Sequence, residues 1–229
     1  AGVFSFLMVV VYIIGPDYLL QSKASNWLVW LSSFTILTAS IIAISKDDLK
    51  ARLAYSTISQ LSYIILGAAL ATTFALKGAS FHIITHALGK ITLFFCAGAI
   101  YVTAHVKKIS ELGGLGFKTP MIFFAYTLGA LSIIGVPPLI GSWSKLFLVI
   151  GSLEADFLFV AILLGISSLL NIYYLLQPVF IAFNKKNIKN INITKAPLTI
   201  WPPVITGVGC LFLFFFSNYF LNIINGVVA

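Results

Sequence analysis

His82, His86 and Lys90 fall at steps of four inside an apolar stretch covering residues 78–104. If that stretch is a helix, the spacing puts all three side chains on one slowly drifting face. They then span about 12 Å at about 1.5 Å per residue. A charge at the bilayer centre costs about 2.5–3.5 kcal/mol on insertion scales, so a lysine there usually marks an ion or proton path. Histidine adds the side chain whose ordinary titration falls near physiological pH. The three together make a ladder on which protons could move. A second lysine, Lys145, follows Gly135-Val-Pro-Pro-Leu-Ile-Gly-Ser-Trp-Ser, where Pro137, Pro138 and Gly141 interrupt helical continuity. Interrupted membrane helices free carbonyls and helix ends to hold ions and water. Ser56, Thr57, Ser59 and Gln60, next to Tyr55, form a polar patch that is either a water-lined surface or packing glue between helices.

Each of these groups also has a plainer reading. Lys90 lies about 11 residues from the near end of its segment, too far at about 1.5 Å each for its stem to snorkel to an interface. Lys145 as an interfacial anchor is disfavoured because residues 146–150 continue apolar. His82 and His86 could instead be a pair hydrogen-bonded between helices. Their i, i+4 spacing suits zinc, but no carboxylate or cysteine shares that face, so no metal and no other cofactor is expected.

The elements that must hold these groups follow from composition. The chain has 229 residues, is 60% hydrophobic and only 9% charged, with a mean hydropathy of +1.05. Soluble domains carry roughly 25% charged residues. Long, all-round apolar runs predict an integral membrane bundle and exclude a peripheral amphipathic anchor or the weak alternation of a membrane barrel. The net charge of +8 reads as loop anchoring to a bilayer and not as nucleic-acid binding. Cys96 and Cys210 fall in separate apolar segments and make neither a CxxC pair nor a metal spacing. The chain begins with Ala1 in an apolar run too short to span about 20 residues. It also lacks the basic start of a signal peptide, so a stub of a helix from a longer protein is expected there.

The predicted architecture is all-α. It comprises a truncated helix at 3–15 and spans at 27–45, 52–72, 79–104, 120–153, 157–183 and 198–224. Two full spans within 120–153 would need about 40 residues and a loop, so this stretch reads as one helix broken at Pro137-Pro138. Charge supports it. With one crossing there, Lys46, Lys50, Arg52, Lys107, Lys108, Lys118, Lys185, Lys186, Lys189 and Lys195 share one side, against Lys23 and Lys77 on the other. That bias makes loops 46–52, 105–118 and 184–196 cytoplasmic, whereas two crossings would divide the cations equally. All six acidic residues are expected in loops. The polar loop 184–195 reads as a flexible connector, and Trp27, Trp30 and Trp201 as an interfacial belt. No internal repeat or soluble domain is evident, so residues 1–229 form a single transmembrane domain.

Four stretches carry a resemblance: Asp48-Leu-Lys-Ala-Arg-Leu-Ala-Tyr-Ser-Thr-Ile-Ser-Gln60, Phe81-His-Ile-Ile-Thr-His-Ala-Leu-Gly-Lys-Ile-Thr-Leu-Phe94, Glu111-Leu-Gly-Gly-Leu115, and Ala130-Leu-Ser-Ile-Ile-Gly-Val-Pro-Pro-Leu-Ile-Gly-Ser-Trp-Ser-Lys145. In this order they resemble the antiporter-like membrane subunits of respiratory complex I, Mrp-type cation/proton antiporters (the D subunit among them) and membrane-bound hydrogenases. The likeness runs from the first residues to about Phe183. It implies a subunit of about 14 helices with two inverted five-helix repeats, each with one broken helix. This chain would then hold the end of helix 8 and helices 9 to 14, with helix 12 broken. Lys90 matches the central lysine of helix 11, with His82 and His86 as its relay neighbours. Lys145 matches the ionisable residue of helix 12 that passes protons outward, a position where some members carry Glu instead.

The resemblance implies proton, or cation/proton, translocation through the second half-channel of a multisubunit complex. Its partners would be other membrane subunits, the lipid bilayer, protons and, in a Mrp-type relative, sodium. The setting would be a bacterial inner membrane. The first half-channel's helix-5 glutamate, helix-7 lysine and helix-8 lysine or histidine are missing, and no intramembrane acid is present. The chain alone is therefore not expected to complete a transport cycle. A structural subunit with a degenerate channel is the alternative from another class, opposed by the buried lysines. Redox catalysis by the chain itself is not expected, since there is no Gly-rich nucleotide loop and no thiolate cluster. Any NADH or quinone chemistry would belong to partner subunits.

Overall fold

The computed structural model describes residues 2–22, 25–184, 194 and 196–228. The elements that the site depends on are α3 (Asn26–Ser45), α4 (Leu49–Leu70) and α5 (Thr73–Ala104). They are preceded by α1 (Gly2–Met8), a wider π-type turn at Val9–Ile14 and the short α2 (Pro16–Ser22). After α5 come a tight turn at Ile109–Glu111, the one-turn α6 (Leu115–Lys118), α7 (Pro120–Ile134), α8 (Gly141–Glu154) and α9 (Leu158–Ala182). The chain ends in α10 (Trp201–Phe215) and α11 (Ser217–Val228). Among the described residues, Asn26–Ser45, Leu49–Leu70, Thr73–Ala104, Leu158–Ala182 and Pro197–Phe215 are each long and apolar enough to cross a membrane. The protein is an all-α membrane helix bundle.

Local chemistry sets the ends. Asp48 caps α4 by accepting from the Ala51 N–H at 2.8 Å. Thr72 caps α5 through the Ala75 N–H and donates its own proton to Gly151 O at 3.0 Å. The chain leaves α4 and α5 through left-handed residues, Ala71 and His105. At the basic end of the bundle the two turns are tied together. Leu49 N–H donates to Lys107 O and Ile109 N–H to Asp47 O, while the Asp47 carboxylate accepts from the Ser110 N–H and hydroxyl. The Asp47 carboxyl is held below the ordinary carboxylate range. Desolvation, the largest single effect, pushes it up, but the two Ser110 hydrogen bonds and the charges of Lys108 and Arg52 together outweigh it. The tie is therefore at full strength above about pH 4 and weakens as pH falls through the lower folded value.

The broken stretch crosses once. Starting at the basic end, Ile122 O meets Cys96 Sγ at 3.4 Å, Gly129 lies against Thr92 and Gly89, and Gly141 against Thr85. Ser144 then meets His82, and Gly151 O reaches Thr72. As numbering rises along α7 and α8 it falls along α5, so the two halves lie antiparallel to one 32-residue helix. The break itself has three causes. Gly135 takes a left-handed φ of 90°, and Pro137 and Pro138 offer no N–H to continue the ladder. Ile140 N–H then turns aside to Cys210 O on α10.

Several expected boundaries shift. Gly141 is not in the break but opens α8, where an added Cβ would stand 1.7 Å from Ser132 O. Glycine is needed there for close approach. α4 and α5 start earlier than expected, so Lys50, Arg52 and Lys77 belong to helices and not loops. Lys118 lies in α6, and Asp17, expected in a loop, lies in α2. The final apolar stretch is two helices that meet at Phe216, because Ser217, Phe220, Leu221 and Ile224 turn toward the bundle and Phe220 packs on Phe81. Lys23, Lys185, Lys186, Lys189 and Lys195 lie outside the described residues.

Two expectations test this arrangement. Single cysteines at Lys118 and Glu154 should react with an impermeant maleimide from opposite faces of sealed vesicles, and labelling from one face would mean two crossings. Gly141→Ala should lower stability by about 3 kcal/mol or more through overpacking, measured by thermal unfolding in detergent. Gly98→Ala, with nothing within 4 Å of the added Cβ, is the neutral control.

Candidate functional site

α5 carries His82, His86 and Lys90 past three neighbouring helices. Lys90 is buried and donates to Ser56 Oγ at 2.6 Å and to Leu53 O at 3.2 Å, both on α4. Ser56 Oγ in turn lies 3.1 Å from the Tyr174 hydroxyl, which also bonds the Asn171 side-chain oxygen on the same face of α9. A hydroxyl has one proton to give. Lys90 donating to Ser56, Ser56 to Tyr174 and Tyr174 to Asn171 satisfies the whole run.

The second cluster surrounds Lys145, half-buried on α8 one turn after the break. Its ammonium donates to Ser168 Oγ on α9 at 2.9 Å and lies 5.3 Å from the centre of the Tyr63 ring, within cation–π range. Tyr63, on α4, stacks on His82 with centroids 5.4 Å apart and donates to Ser167 at 2.7 Å. His82 Nδ1 is 3.0 Å from Ser144 Oγ, the residue before Lys145. The break therefore sets Ser144 and Lys145 on one turn, the first against His82 and the second against Ser168. His86 lies between the clusters, its ring 6.3 Å from His82.

Among the described residues, several buried polar atoms in this region have no hydrogen-bond partner: both amide atoms of Gln60, His82 Nε2, His86 Nε2 and Asn171 Nδ2. Leaving such a group unsatisfied costs about 1–3 kcal/mol, and in folded interiors ordered water usually answers it. Of the polar patch on α4, only Ser56 and Gln60 are placed for this site. Ser59 bonds Ser40 at 2.9 Å and Ile36 O, joining α4 to α3. The Thr57 hydroxyl folds back onto Leu53 O. Ser59 thus acts as packing glue between helices. The carboxylates stay at helix ends and turns, in α2, at 47–48, at Glu111, and at Glu154 and Asp156.

Sequence reasoning treated α9 only as a span and missed Ser167, Ser168, Asn171 and Tyr174. A signal was present: three of these, at 167, 171 and 174, recur at helical spacing in an otherwise apolar run. Tyr63 and Ser144 gave no such signal, because an aromatic or a serine inside a membrane helix is ordinary.

Comparison with known proteins identifies the family. The family model described as NADH:quinone oxidoreductase/Mrp antiporter, TM, matches residues 1–171, and the chain belongs to that family. It is 42% identical over 157 residues to NADH-quinone oxidoreductase subunit N of Desulforudis audaxviator, covering 68% of this chain and 31% of that protein. It shares its fold with a subunit of the Mrp complex from Dietzia sp. DQ12-45-1b, with TM-score 0.84, 21% identity, and 93% of this chain on 48% of that one. It also shares its fold with a subunit of the archaeal membrane-bound sulfane sulfur reductase, with TM-score 0.85, 20% identity, and 98% on 45%. The chain spans about a third of that relative and under half of those two subunits.

Gln60 offers a test of whether the region is wet. In a dry interior, Gln60→Met would remove two unsatisfied groups and raise stability. A hydrated interior predicts no gain, with thermal unfolding in detergent as the measurement.

Proposed function

We propose that this chain forms the second half-channel of a proton-translocating subunit in a multisubunit membrane complex. The observation that carries this reading is the pair of lysines at membrane depth, Lys90 and Lys145, each bonded to a serine on a neighbouring helix. Tyr63, His82 and Ser144 link the second lysine back toward the first helix face. Protons enter from the preceding half of the subunit, pass His82, His86 and Lys90, reach Lys145 beyond the break, and leave at the far end. Both lysines can lose and regain a proton where they stand, and neither is locked to a carboxylate. Residues 1–229 work as one transmembrane domain.

Protons are favoured over sodium. The 42% identity is to a quinone-oxidoreductase subunit, whereas the likeness to the Mrp complex, at 21%, speaks for fold alone. A sodium path would also call for carboxylate or carbonyl oxygens, while the side chains gathered here are mostly cations and hydroxyls. The excess of Lys and Arg at one end orients that end toward the cytoplasm, and a bacterial inner membrane suits this reading. The preceding half of the subunit supplies the first half-channel, and other membrane subunits supply any redox drive.

In the full-length parent, Lys145→Ala and Lys90→Ala should each abolish proton pumping, measured in sealed vesicles with a pH-sensitive dye, at normal levels of assembled complex. Pumping that survives Lys145→Ala would remove that residue from the path.

A further inference from the structure

Arg52 has no part in the path described above, yet it is 4% exposed and sits one residue before Leu53, whose carbonyl holds Lys90. Its hydrogen bonds go to carbonyls and an amide and not to a carboxylate. Nε donates to Lys46 O at 2.9 Å and Nη2 to Ile44 O at 3.3 Å, both at the C-terminal end of α3. Carbonyls there lack helical partners and carry the negative end of the dipole. Nη1 donates to Gln177 Oε1 at 2.5 Å and to Tyr174 O at 3.3 Å on α9.

The Tyr174 carbonyl is an unusual acceptor. In a regular helix it would take the N–H four residues on, but that residue is Pro178, inside α9, which has no N–H. A buried carbonyl left unpaired is costly, and here a side chain from another helix supplies the donor. The same residue's hydroxyl, at the opposite end of its side chain, lies on Ser56, which holds Lys90.

We propose that Arg52 is a positioning residue for the lysine site. Its guanidinium replaces the donor that Pro178 removes from α9 and so holds the Tyr174 hydroxyl against Ser56 and, through it, Lys90. Arginine suits this task because its planar fork presents five donors that span two helices at once. A lysine offers a single point charge. The arrangement joins the tied turns at the basic end, through Lys46 and Ile44, to the hydrogen-bond run that ends on Lys90. Proline in α9 then has a use: it frees the carbonyl through which α4 grips α9.

The inference rests on Lys90 carrying protons, and the experiment separates the two. In the full-length parent within its complex, Arg52→Gln, Arg52→Lys, Tyr174→Phe and the double variant Arg52→Gln/Pro178→Ala are compared. Pumping rate, its pH profile and the amount of assembled complex are read for each. Arg52→Gln and Tyr174→Phe should each slow pumping about tenfold, the size set by one lost hydrogen bond, and displace the pH profile the same way. Arg52→Lys should recover little. The double variant restores an N–H to the α9 ladder and should regain most of the rate although the charge is absent. A double variant no better than Arg52→Gln, or wild-type behaviour in Tyr174→Phe, overturns the proposal. If Arg52→Gln fails to assemble, those same two variants still decide. Pumping that persists in Lys90→Ala would instead overturn the proton-carrier reading itself.

Discussion

Lys90, Lys145 and Arg52 bring positive charge into a bundle whose carboxylates all lie at helix ends and turns. Most of what surrounds them follows from that. A buried cation must be paired or solvated by dipoles, and here dipoles do the work. One serine hydroxyl and a main-chain oxygen face Lys90, Ser168 and the Tyr63 ring face Lys145, and helix-end and proline-freed carbonyls face Arg52. A carboxylate partner would favour the charged form and hold the proton in place. Hydroxyls and ring faces stabilise an ammonium without committing it, which suits the proton-carrying role proposed for these lysines.

That solution requires helices to approach closely enough for short side chains to reach. Serine extends little beyond its own backbone, so Ser56, Ser144 and Ser168 can serve only if α4, α5, α8 and α9 are tightly packed. The small residues at the α5 contact provide it. Gly141 fits between Ser132 O on α7 and Thr85 on α5, and Gly151 against Ala75 on α5, distances that no larger residue tolerates. The helix break is therefore more than a source of free carbonyls. It lets α8 start close against α5, with Gly141 by Thr85, and brings Ser144 within 3.0 Å of His82.

Much of the bundle could be read from hydropathy, because a bilayer demands long apolar runs and leaves their count visible. The single crossing of 120–153 came from its length and from the charge of the flanking loops, and the antiparallel match of α7 and α8 to α5 agrees with it. What could not be read was register between helices. Nothing in the spacing of Ser167, Ser168, Asn171 and Tyr174 says that α9 lies beside α4, so partners contributed by distant segments were invisible. Arg52 was misjudged for a related reason. A cation three residues into a helix looks like a loop anchor until the helix start is fixed by Asp48, and its burial depends on α9 arriving above it. The jog at Phe216 was equally hidden, since residues 198–224 are apolar enough throughout for one span.

Among the described residues, the two clusters are not joined by one unbroken line of close hydrogen bonds. The run from Lys90 passes through Ser56 and Tyr174 to Asn171, and the run around Lys145 gathers Ser168, Tyr63, His82 and Ser144. Between them stand Gln60, His86 and Asn171, with buried atoms that no protein group satisfies. If side chains alone carried protons, this gap would stop them. If water enters, the same unsatisfied amides and ring nitrogens are the groups that would hold it, each able to accept or donate. On the proposed reading the gap is then the place where transport is controlled. The charged lysines are held in fixed positions by serines, and what changes between conducting and resting states is the hydration of the polar, partnerless space between them.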